Sequence, residues 1–252
     1  MSSLTNPNFY SVIIGTELLN GRRKDAHFTF LNQELLKRGF IQKANFVIKD
    51  DPQFMLDIFN LIQQDEKAVM FCFGGIGATP DDYTREVAAK AFTNSEMFYH
   101  ETAKELIINQ FGDEAYPYRI EMSHLPVGAK LLDNVVNNVP GFYLEDRFFF
   151  TPGFPSMSQA MVLQALDRHY LKNDTKVFRK TLTAYTGENT LIPLMKKVPS
   201  NVELSSLPRI KGEKREVVLS IAAFEENVCS EVFDTFVLFL ENEKIEYVLG
   251  DV

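Results

Sequence analysis

The residues with the clearest capacity for chemistry lie in one short stretch, residues 74–82, with the sequence GGIGATPDD. The stretch contains three glycines, one threonine and two carboxylates: Gly74, Gly75, Gly77, Thr79, Asp81 and Asp82. Glycines let a backbone approach a ligand closely, and unpaired N–H groups at a helix start attract phosphate. Carboxylates repel bound phosphate, and a divalent cation between the two groups removes that repulsion. The stretch therefore predicts a metal-assisted site for a phosphate-bearing nucleotide or pterin.

The same residues are also typical of a purely structural turn. Threonine and aspartate are common helix N-caps, and acidic residues in a first turn stabilise a helix without any ligand. The stretch is not a Walker A motif, because no Gly-Lys-Ser/Thr follows, and it lacks the GxGxxG spacing of dinucleotide-binding loops. On spacing alone, the ligand site and the structural turn both stay open.

Composition limits the classes of function. The 252 residues carry a net charge of −8 with a pI near 5.1, which argues against a nucleic-acid partner. No apolar run reaches the roughly 18 residues of a membrane span, and the polar N-terminus does not resemble a signal peptide. Cys72 and Cys229 lack metal-ligand spacing and are predicted to be reduced. We therefore expect a cytoplasmic protein without membrane or nucleic-acid partners.

Strands and helices are predicted to alternate through the first two-thirds of the chain. Strands are expected at residues 9–14, 44–48 and 68–73, with helices over 26–37, from residue 52 and after the glycine stretch. Repeated βα units predict a mostly parallel sheet with helices on both faces. Ligands of such folds bind at the carboxyl ends of the strands. The loops at 15–25 and 74–82 both follow strand ends, so both are candidates for the site.

The rest of the chain is predicted to hold a second turn at the site and a second domain. Helical segments are expected around 95–111, a strand at 147–151, and a helix over 156–170 after the sequence PGFP, whose Pro152 and Gly153 could close over the ligand. The predicted domains are residues 1–172 and 173–252. In the second, strands at 177–185, 202–207, 216–223 and 244–249 and helices at 189–197 and 228–241 predict a small ferredoxin-like α+β domain.

Several motifs, taken together and in order, resemble those of a known family. They are IGTELLNG (14–21), the pair Asp50-Asp51, GGIGATPDDYTRE (74–86), the pair Leu125-Pro126, NVPGF (138–142) and PGFP (152–155). This set resembles the molybdopterin-binding MoCF (MoaB/Mog-like) domain and, more narrowly, the CinA-like branch named for competence/damage-inducible protein A. The resemblance implies a three-layer α/β/α fold with a mostly parallel sheet, in a stand-alone form lacking the C-terminal amidase domain. It also implies a homo-oligomer, with a dimer favoured.

The resemblance implies two kinds of activity, both on phosphate-bearing ligands. Mog-like proteins bind molybdopterin and in some cases adenylylate it with Mg-ATP, and the CinA-like branch is associated with metal-dependent ADP-ribose pyrophosphatase activity. On this basis Asp82, supported by Asp81, would hold a divalent metal (Mg, Mn or Co) or the attacking water, and Glu17 would be a further carboxylate. The implied ligand contacts are Gly15, Thr16, Asp25, Gly74, Gly75, Gly77, Thr79, Pro152 and Gly153. For Glu17, an N-cap or a turn ion pair is an equal alternative.

Two departures from the family pattern keep the function open. Many CinA-like proteins have Asn-Thr-Asn where this chain has Asp25-Ala26-His27, and many have Arg-Glu-Met after PGxP where this chain has Ser156-Met157. The missing glutamate would weaken hydrolysis if it helps to bind metal, whereas His27 could act as a ligand or as a structural residue. Three hypotheses follow: a metal-dependent nucleotide pyrophosphatase, which we favour, a molybdopterin- or nucleotide-binding or adenylylating protein, and a non-catalytic binding module.

Overall fold

A computed structural model describes residues 4, 6–173, 176–212 and 214–251. The chain divides into two compact units, residues 1–173 and 174–252. In chain order, the first unit contains β1 (Asn8–Ile14), α1 (Thr16–Leu19), α2 (His27–Lys37), β2 (Gln42–Ile48), α3 (Pro52–Gln63), β3 (Ala68–Phe73), α4 (Thr84–Phe92), β4 (Met97–Tyr99), α5 (Glu101–Phe111), β5 (His124–Pro126), β6 (Lys130–Leu132), β7 (Gly141–Leu144), β8 (Phe148–Thr151) and α6 (Pro155–His169). Two short 3-10 helices, Gly112–Ala115 and Arg119–Ser123, lie between α5 and β5.

The central sheet of the first unit has the strand order β2-β1-β3-β8-β7-β6. The first four strands run parallel, whereas β7 is antiparallel to β8 and β6 is antiparallel to β7. Strand β3 is buried at every residue, as expected for a strand covered on both faces. The sheet therefore confirms the predicted α/β class with a mostly parallel sheet.

Helices cover both faces of this sheet, and each face has its own apolar core. On one face, Met55, Phe59 and Val87 of α3 and α4 pack against alternate strand residues. On the other face, α2 and α6 contribute Leu31, Leu35, Met161, Val162, Ala165 and Leu166. The alternation of strand side chains between the two cores is the normal consequence of the two-residue repeat of a β-strand.

The structure differs from the sequence prediction over residues 95–111. Only the second part of that segment is helical, because Met97–Tyr99 form a strand paired antiparallel with β5. Asn94 and Ser95 have positive φ angles of 51° and 67°, which end the preceding helix and prevent a direct continuation. His100 then caps α5 by accepting a hydrogen bond from the Ala103 N–H.

The second unit is an antiparallel sheet with two helices. Its elements are β9 (Phe178–Ala184), α7 (Ile192–Met195), β10 (Glu203–Lys211), β11 (Lys214–Ala223), α8 (Glu226–Asn242) and β12 (Tyr247–Leu249), with a 3-10 turn at Glu188–Thr190. The strand order β10-β11-β9-β12 is that of the predicted split-βαβ arrangement. The helix predicted over 189–197 is shorter than expected, since Pro193 at its start lacks the N–H needed to extend the preceding turn.

No helix within the described ranges is long and apolar enough to cross a membrane. The expected dimer stays a prediction.

Candidate functional site

The glycine loop after β3 has a conformation that only glycine tolerates at two positions. Gly74 and Gly75 have φ angles of +101° and +69°. A Cβ on Gly74 would lie 2.5 Å from the carbonyl oxygen of Ile14, and one on Gly75 would lie 2.2 Å from Thr84 Oγ1. These close approaches hold the loop against the carboxyl end of β1 and the start of α4.

Four consecutive backbone N–H groups of this loop have no hydrogen-bond acceptor within the described part of the chain: those of Gly75, Ile76, Gly77 and Ala78. The next N–H, of Thr79, donates to Asp82 Oδ2 at 2.8 Å. Backbone N–H groups are strong donors that are normally paired, and successive unpaired ones form concave sites for anions. The loop is therefore a concentrated set of donors.

The loop forms one wall of a cavity of about 380 Å³. The other lining residues are apolar side chains, two amides and the PGFP turn: Phe111, Met122, Val139, Phe154, Met157, Asn134, Asn137, Pro152 and Gly153. A Cβ on Gly153 would lie 3.4 Å from the Cα of Gly74, so the two turns pack directly against each other. The volume and the mixture of apolar walls with a few polar groups are typical of small-molecule sites.

Asp81 and Asp82 are tied to the loop through Thr79. The Thr79 Oγ1 atom lies 2.6 Å from Asp81 Oδ1 and 2.5 Å from Asp82 Oδ2. The hydrogen bond from Thr79 lowers the pKa of the Asp81 carboxyl. A Cβ on Gly77 would lie 2.6 Å from Asp82 Oδ2, so this carboxylate is folded back over the loop. Both predicted carboxylates are therefore present together beside the donor groups.

These two carboxylates fit a metal that arrives with a ligand better than a preformed metal centre. Among the described residues, no group of three or more His, Cys, Asp or Glu side chains is placed to hold an ion. Magnesium, however, commonly binds through one or two carboxylates together with substrate phosphates and water. Asp82, which lines the cavity, and Asp81, in contact with the same Thr79 hydroxyl, are the carboxylates available for such an ion.

Asn137 supplies a further hydrogen-bond donor to this cavity, and the sequence analysis did not predict it. Its Oδ1 accepts hydrogen bonds from Asn134 Nδ2 at 2.6 Å and from the Val139 N–H at 3.2 Å. This pattern leaves the Asn137 Nδ2 atom without an acceptor among the described residues. The atom is not fully buried, so a ligand can reach it. The Asn137 amide can therefore donate to a ligand in the cavity that it lines.

The first loop places its predicted residues outside this cavity. The N–H and Oγ1 of Thr16 both donate to Asp50 Oδ2 at 2.9 Å, and both residues line a separate groove of about 580 Å³. Glu17 lies 3.8 Å from Arg23 and lines a small cleft that also contains Asp25. The Glu17 carboxylate covers Gly15, where an added Cβ would lie 2.9 Å from Oε2. The structure therefore does not bring Glu17 to Asp81 and Asp82.

Asp25 and His27, which depart from the family pattern, have structural contacts in the described chain. The two carboxylate oxygens of Asp25 accept from the N–H groups of His27 and Phe28, which start α2. The His27 ring is buried, stacks on Phe73 at a centroid distance of 4.5 Å and lies 3.2 Å from Ser158 Oγ. Burial lowers the pKa of His27 below the usual histidine value, although Asp25 and the Gly153 backbone oppose the shift. His27 thus connects the two regions in which the chain departs from the family pattern, residues 25–27 and the segment that follows PGFP.

Arg85 lies on α4 behind the glycine loop, and no sequence pattern indicates its role. Its Nη1 atom donates to the carbonyl oxygens of Ile76 at 2.6 Å and Gly77 at 2.5 Å. The residue is buried, with 5% of its surface exposed, although arginine is normally a surface residue. Phe111 and Met122 were also missed, because nothing local connects residues so distant along the chain to the loop.

Comparisons with known proteins agree with this architecture. Residues 11–172 match the protein family described as probable molybdopterin binding domain. The chain is 27% identical to a Pyrococcus abyssi protein over 95% of this chain and 98% of that one. It is also 27% identical to a CinA-like protein of Kosmotoga olearia, over 95% of this chain and 60% of that one. Among solved structures, protein CinA of Thermoplasma acidophilum is similar with a TM-score of 0.58 and 26% identity, over 64% of this chain and 97% of that one.

Proposed function

This chain belongs to the molybdopterin-binding (MoCF) domain family, and its predicted resemblance to the CinA-like branch is confirmed. From that premise we propose that it binds a pterin or nucleotide through its phosphate in the cavity beside the glycine loop. The observation that carries the proposal is the run of four unpaired N–H groups at residues 75–78 along one wall of that cavity.

The phosphate end of the ligand would bind to the loop. Several backbone donors directed at one anion supply charge-assisted hydrogen bonds, which are stronger than neutral ones. The start of α4 lies next to the loop, and its positive dipole end adds to the attraction. An anion is therefore the ligand group that best satisfies these donors.

The ring of the ligand would bind against the apolar wall. Phe111, Met122 and Phe154 offer aromatic and thioether surface that suits a flat heterocycle. The Asn137 amide would donate to a ring oxygen or nitrogen. Apolar walls with one or two placed polar groups are the usual means of orienting such rings.

A divalent cation would be held by Asp81 and Asp82 when the phosphate is bound. It would offset the negative charge of the carboxylates and the phosphate, which otherwise repel each other. The side chain of Thr79 contacts both carboxylates, and its hydrogen bond lowers the pKa of the Asp81 carboxyl.

Hydrolysis of a pyrophosphate such as that of ADP-ribose is the second candidate function. Two carboxylates next to a phosphate site favour it, since one can accept a proton from an attacking water while the cation offsets charge. In this case Asp82 would position that water or share the cation. Adenylylation of molybdopterin and binding without catalysis are the alternatives.

The experiment is a calorimetric titration of the full chain with inorganic pyrophosphate, AMP and ADP-ribose, each with and without Mg²⁺. The Asp82→Asn variant removes one carboxylate charge from the site, and Asp57→Asn, at an exposed position on α3, is the matched control. We expect Mg²⁺ to strengthen binding to wild type and to the control, and to strengthen it much less for Asp82→Asn.

A parallel assay for AMP release from ADP-ribose with Mg²⁺, Mn²⁺ or Co²⁺ separates binding from hydrolysis. Metal-dependent release that Asp82→Asn lacks would support the pyrophosphatase. Binding without release would leave a binding or adenylylating protein. No binding of any of the three probes would contradict the proposed site.

A further inference from the structure

The buried guanidinium of Arg85 has no direct ion-pair partner in the part of the chain that the structure describes. Within the described residues, no carboxylate lies within ion-pair distance of its guanidinium, and the buried Nε atom has no hydrogen-bond partner. Its two hydrogen bonds, both from Nη1, go to the carbonyl oxygens of Ile76 and Gly77. Burying an ion without a direct pairing partner is costly, so the presence of Arg85 at this position needs an explanation.

The two carbonyls that Arg85 holds determine where two N–H groups point. In a trans peptide the C=O and the following N–H point in opposite directions across one rigid plane. The described chain has its cis peptide at Tyr116-Pro117, so the peptides after Ile76 and Gly77 are trans. Holding these two carbonyls toward Arg85 therefore turns the N–H groups of Gly77 and Ala78 the other way. Both residues line the cavity, and both N–H groups lack an acceptor.

The positive charge of Arg85 favours an anion in the cavity, as the orientation of the two N–H groups does. Burial lowers the pKa of Arg85, and the charges of Glu86, Asp82 and Glu121 oppose that shift, but a guanidinium stays protonated at any ordinary pH. A positive charge behind the loop strengthens the attraction of its N–H groups for an anion. A phosphate bound on the other side of the loop would add to the negative charge that Glu86, Asp82 and Glu121 supply from beyond ion-pair distance.

We propose that Arg85 is a positioning residue of the phosphate site: it aims the Gly77 and Ala78 N–H groups into the cavity and makes the loop selective for anionic phosphate groups. This inference rests on the proposed function, because it assigns a role within the same site. The competing possibility is that Arg85 only ties the loop to α4 and stabilises the fold.

The test compares Arg85→Met with wild type, using inorganic pyrophosphate as the probe and calorimetry as the readout. Methionine keeps much of the apolar stem and removes both the charge and the hydrogen bonds. The matched control is Arg168→Met, the same exchange at an exposed position on α6. We expect Arg85→Met to weaken pyrophosphate binding about 30-fold, because the Gly77 and Ala78 N–H groups would lose their alignment and each hydrogen bond to an anion is worth about tenfold or more. The control should stay within about twofold.

A backbone amide NMR spectrum supplies a readout that a purely structural role would not move. In wild type, pyrophosphate should shift the Gly77 and Ala78 amide resonances most. In folded Arg85→Met, added pyrophosphate should shift these two resonances far less than in wild type, whereas a purely structural role of Arg85 would leave the pyrophosphate-induced shifts unchanged. Arg85→Lys keeps the charge and one set of donors, so it should restore part of the lost affinity.

The outcomes separate this inference from the proposed function. If wild type does not bind pyrophosphate, the proposed site itself is wrong. If wild type binds and folded Arg85→Met binds equally well, the site stands and the role of Arg85 is overturned. Should Arg85→Met fail to fold, the wild-type titration decides: pyrophosphate binding that leaves the Gly77 and Ala78 amide resonances unshifted would overturn the inference.

Discussion

The hydroxyl of Thr84 occupies the space next to Gly75 that a side chain would need. Thr84 Oγ1 donates a hydrogen bond to the Gly74 carbonyl at 2.9 Å, and a Cβ on Gly75 would lie 2.2 Å from that oxygen. The Thr84 N–H donates to the Gly75 carbonyl at 2.9 Å as well. The first residue of α4 thus fixes both glycines, and the loop conformation is determined by the helix that follows it.

We expect Gly75→Ala to lower the free energy of unfolding by about 3 kcal/mol, because it combines a strained φ with a steric overlap. The matched control is Gly128→Ala, in the turn closed by the Ala129 N–H and the Pro126 carbonyl, which has a φ of +81° and no neighbouring atom within 4 Å of an added Cβ. That variant should lose only about 1 kcal/mol, from backbone strain alone. Urea unfolding measures both, and equal losses would contradict the role assigned to Thr84.

Phe154 should bind the ring of the ligand without contributing much to stability. Its side chain is 57% exposed although it lines the cavity. We expect Phe154→Ala to weaken AMP binding about tenfold, as expected for the loss of one stacking contact, and to leave pyrophosphate binding unchanged. Calorimetry with the two probes measures this difference.

The control for Phe154 is Phe54→Ala, which removes another half-exposed phenylalanine, on α3 and away from the cavity. It should leave the affinity for both probes unchanged. An equal loss of AMP and pyrophosphate affinity in Phe154→Ala would contradict a role in ring binding, because it would indicate a general distortion of the turn.

The sequence predicted the part of the site whose residues lie close together along the chain. The strand, the glycines and the two carboxylates follow one another within 15 residues, so their contacts are fixed by short-range geometry. Thr79, Asp81 and Asp82 are accordingly found together. The central sheet was predictable for the same reason, since a strand buried on both faces reads as a continuous apolar run.

The parts that were not predicted depend on contacts between distant segments. Glu17 follows a strand end, as predicted, but the short helix α1 directs its carboxylate over Gly15 and toward Arg23. The burial of Arg85 has no sequence signal, because an arginine at a helix start normally points to solvent. The apolar wall comes from α5 and the loops after it, which only the tertiary fold brings to the glycine loop.

His27 should make the stability of the protein depend on pH below about 6.5, the usual pKa of histidine. Burial lowers its pKa in the folded state, so the unfolded state binds the proton first as the pH falls. Stability is therefore fully present above about pH 6.5 and is lost as the pH falls toward the folded-state pKa, by at most about 1.4 kcal/mol per pH unit. His27→Gln should flatten this dependence in urea unfolding between pH 7 and pH 5.

Ser158→Ala is the control for His27, because it keeps the imidazole and removes the hydroxyl 3.2 Å from it. It should retain the pH dependence and lower the free energy of unfolding by about 1 kcal/mol at each pH. If His27→Gln and wild type lose stability equally between pH 7 and pH 5, the buried imidazole does not titrate as expected.

Asp65 should provide acid-sensitive stability far from the ligand site. Burial raises the pKa of its carboxyl, but hydrogen bonds from Lys43, Tyr10, Asn8 and the Lys67 N–H outweigh burial and hold the pKa well below its usual value. This contribution is present above about pH 4, the usual pKa of aspartate, and is lost as the pH falls toward the folded-state value.

We expect Asp65→Asn to lower the free energy of unfolding by about 2 kcal/mol at pH 7, because three side-chain donors lose a charged acceptor. At pH 3 the difference from wild type should shrink by about 1 kcal/mol, since wild type has begun to lose the same contribution. Urea unfolding at the two pH values measures this change. Asp57→Asn, at an exposed carboxylate that accepts one hydrogen bond from Gln53, is the matched control and should cost less than about 0.5 kcal/mol at pH 7. A difference between Asp65→Asn and wild type that is the same at both pH values would show that the hydrogen bonds, and not the charge of Asp65, supply the stability.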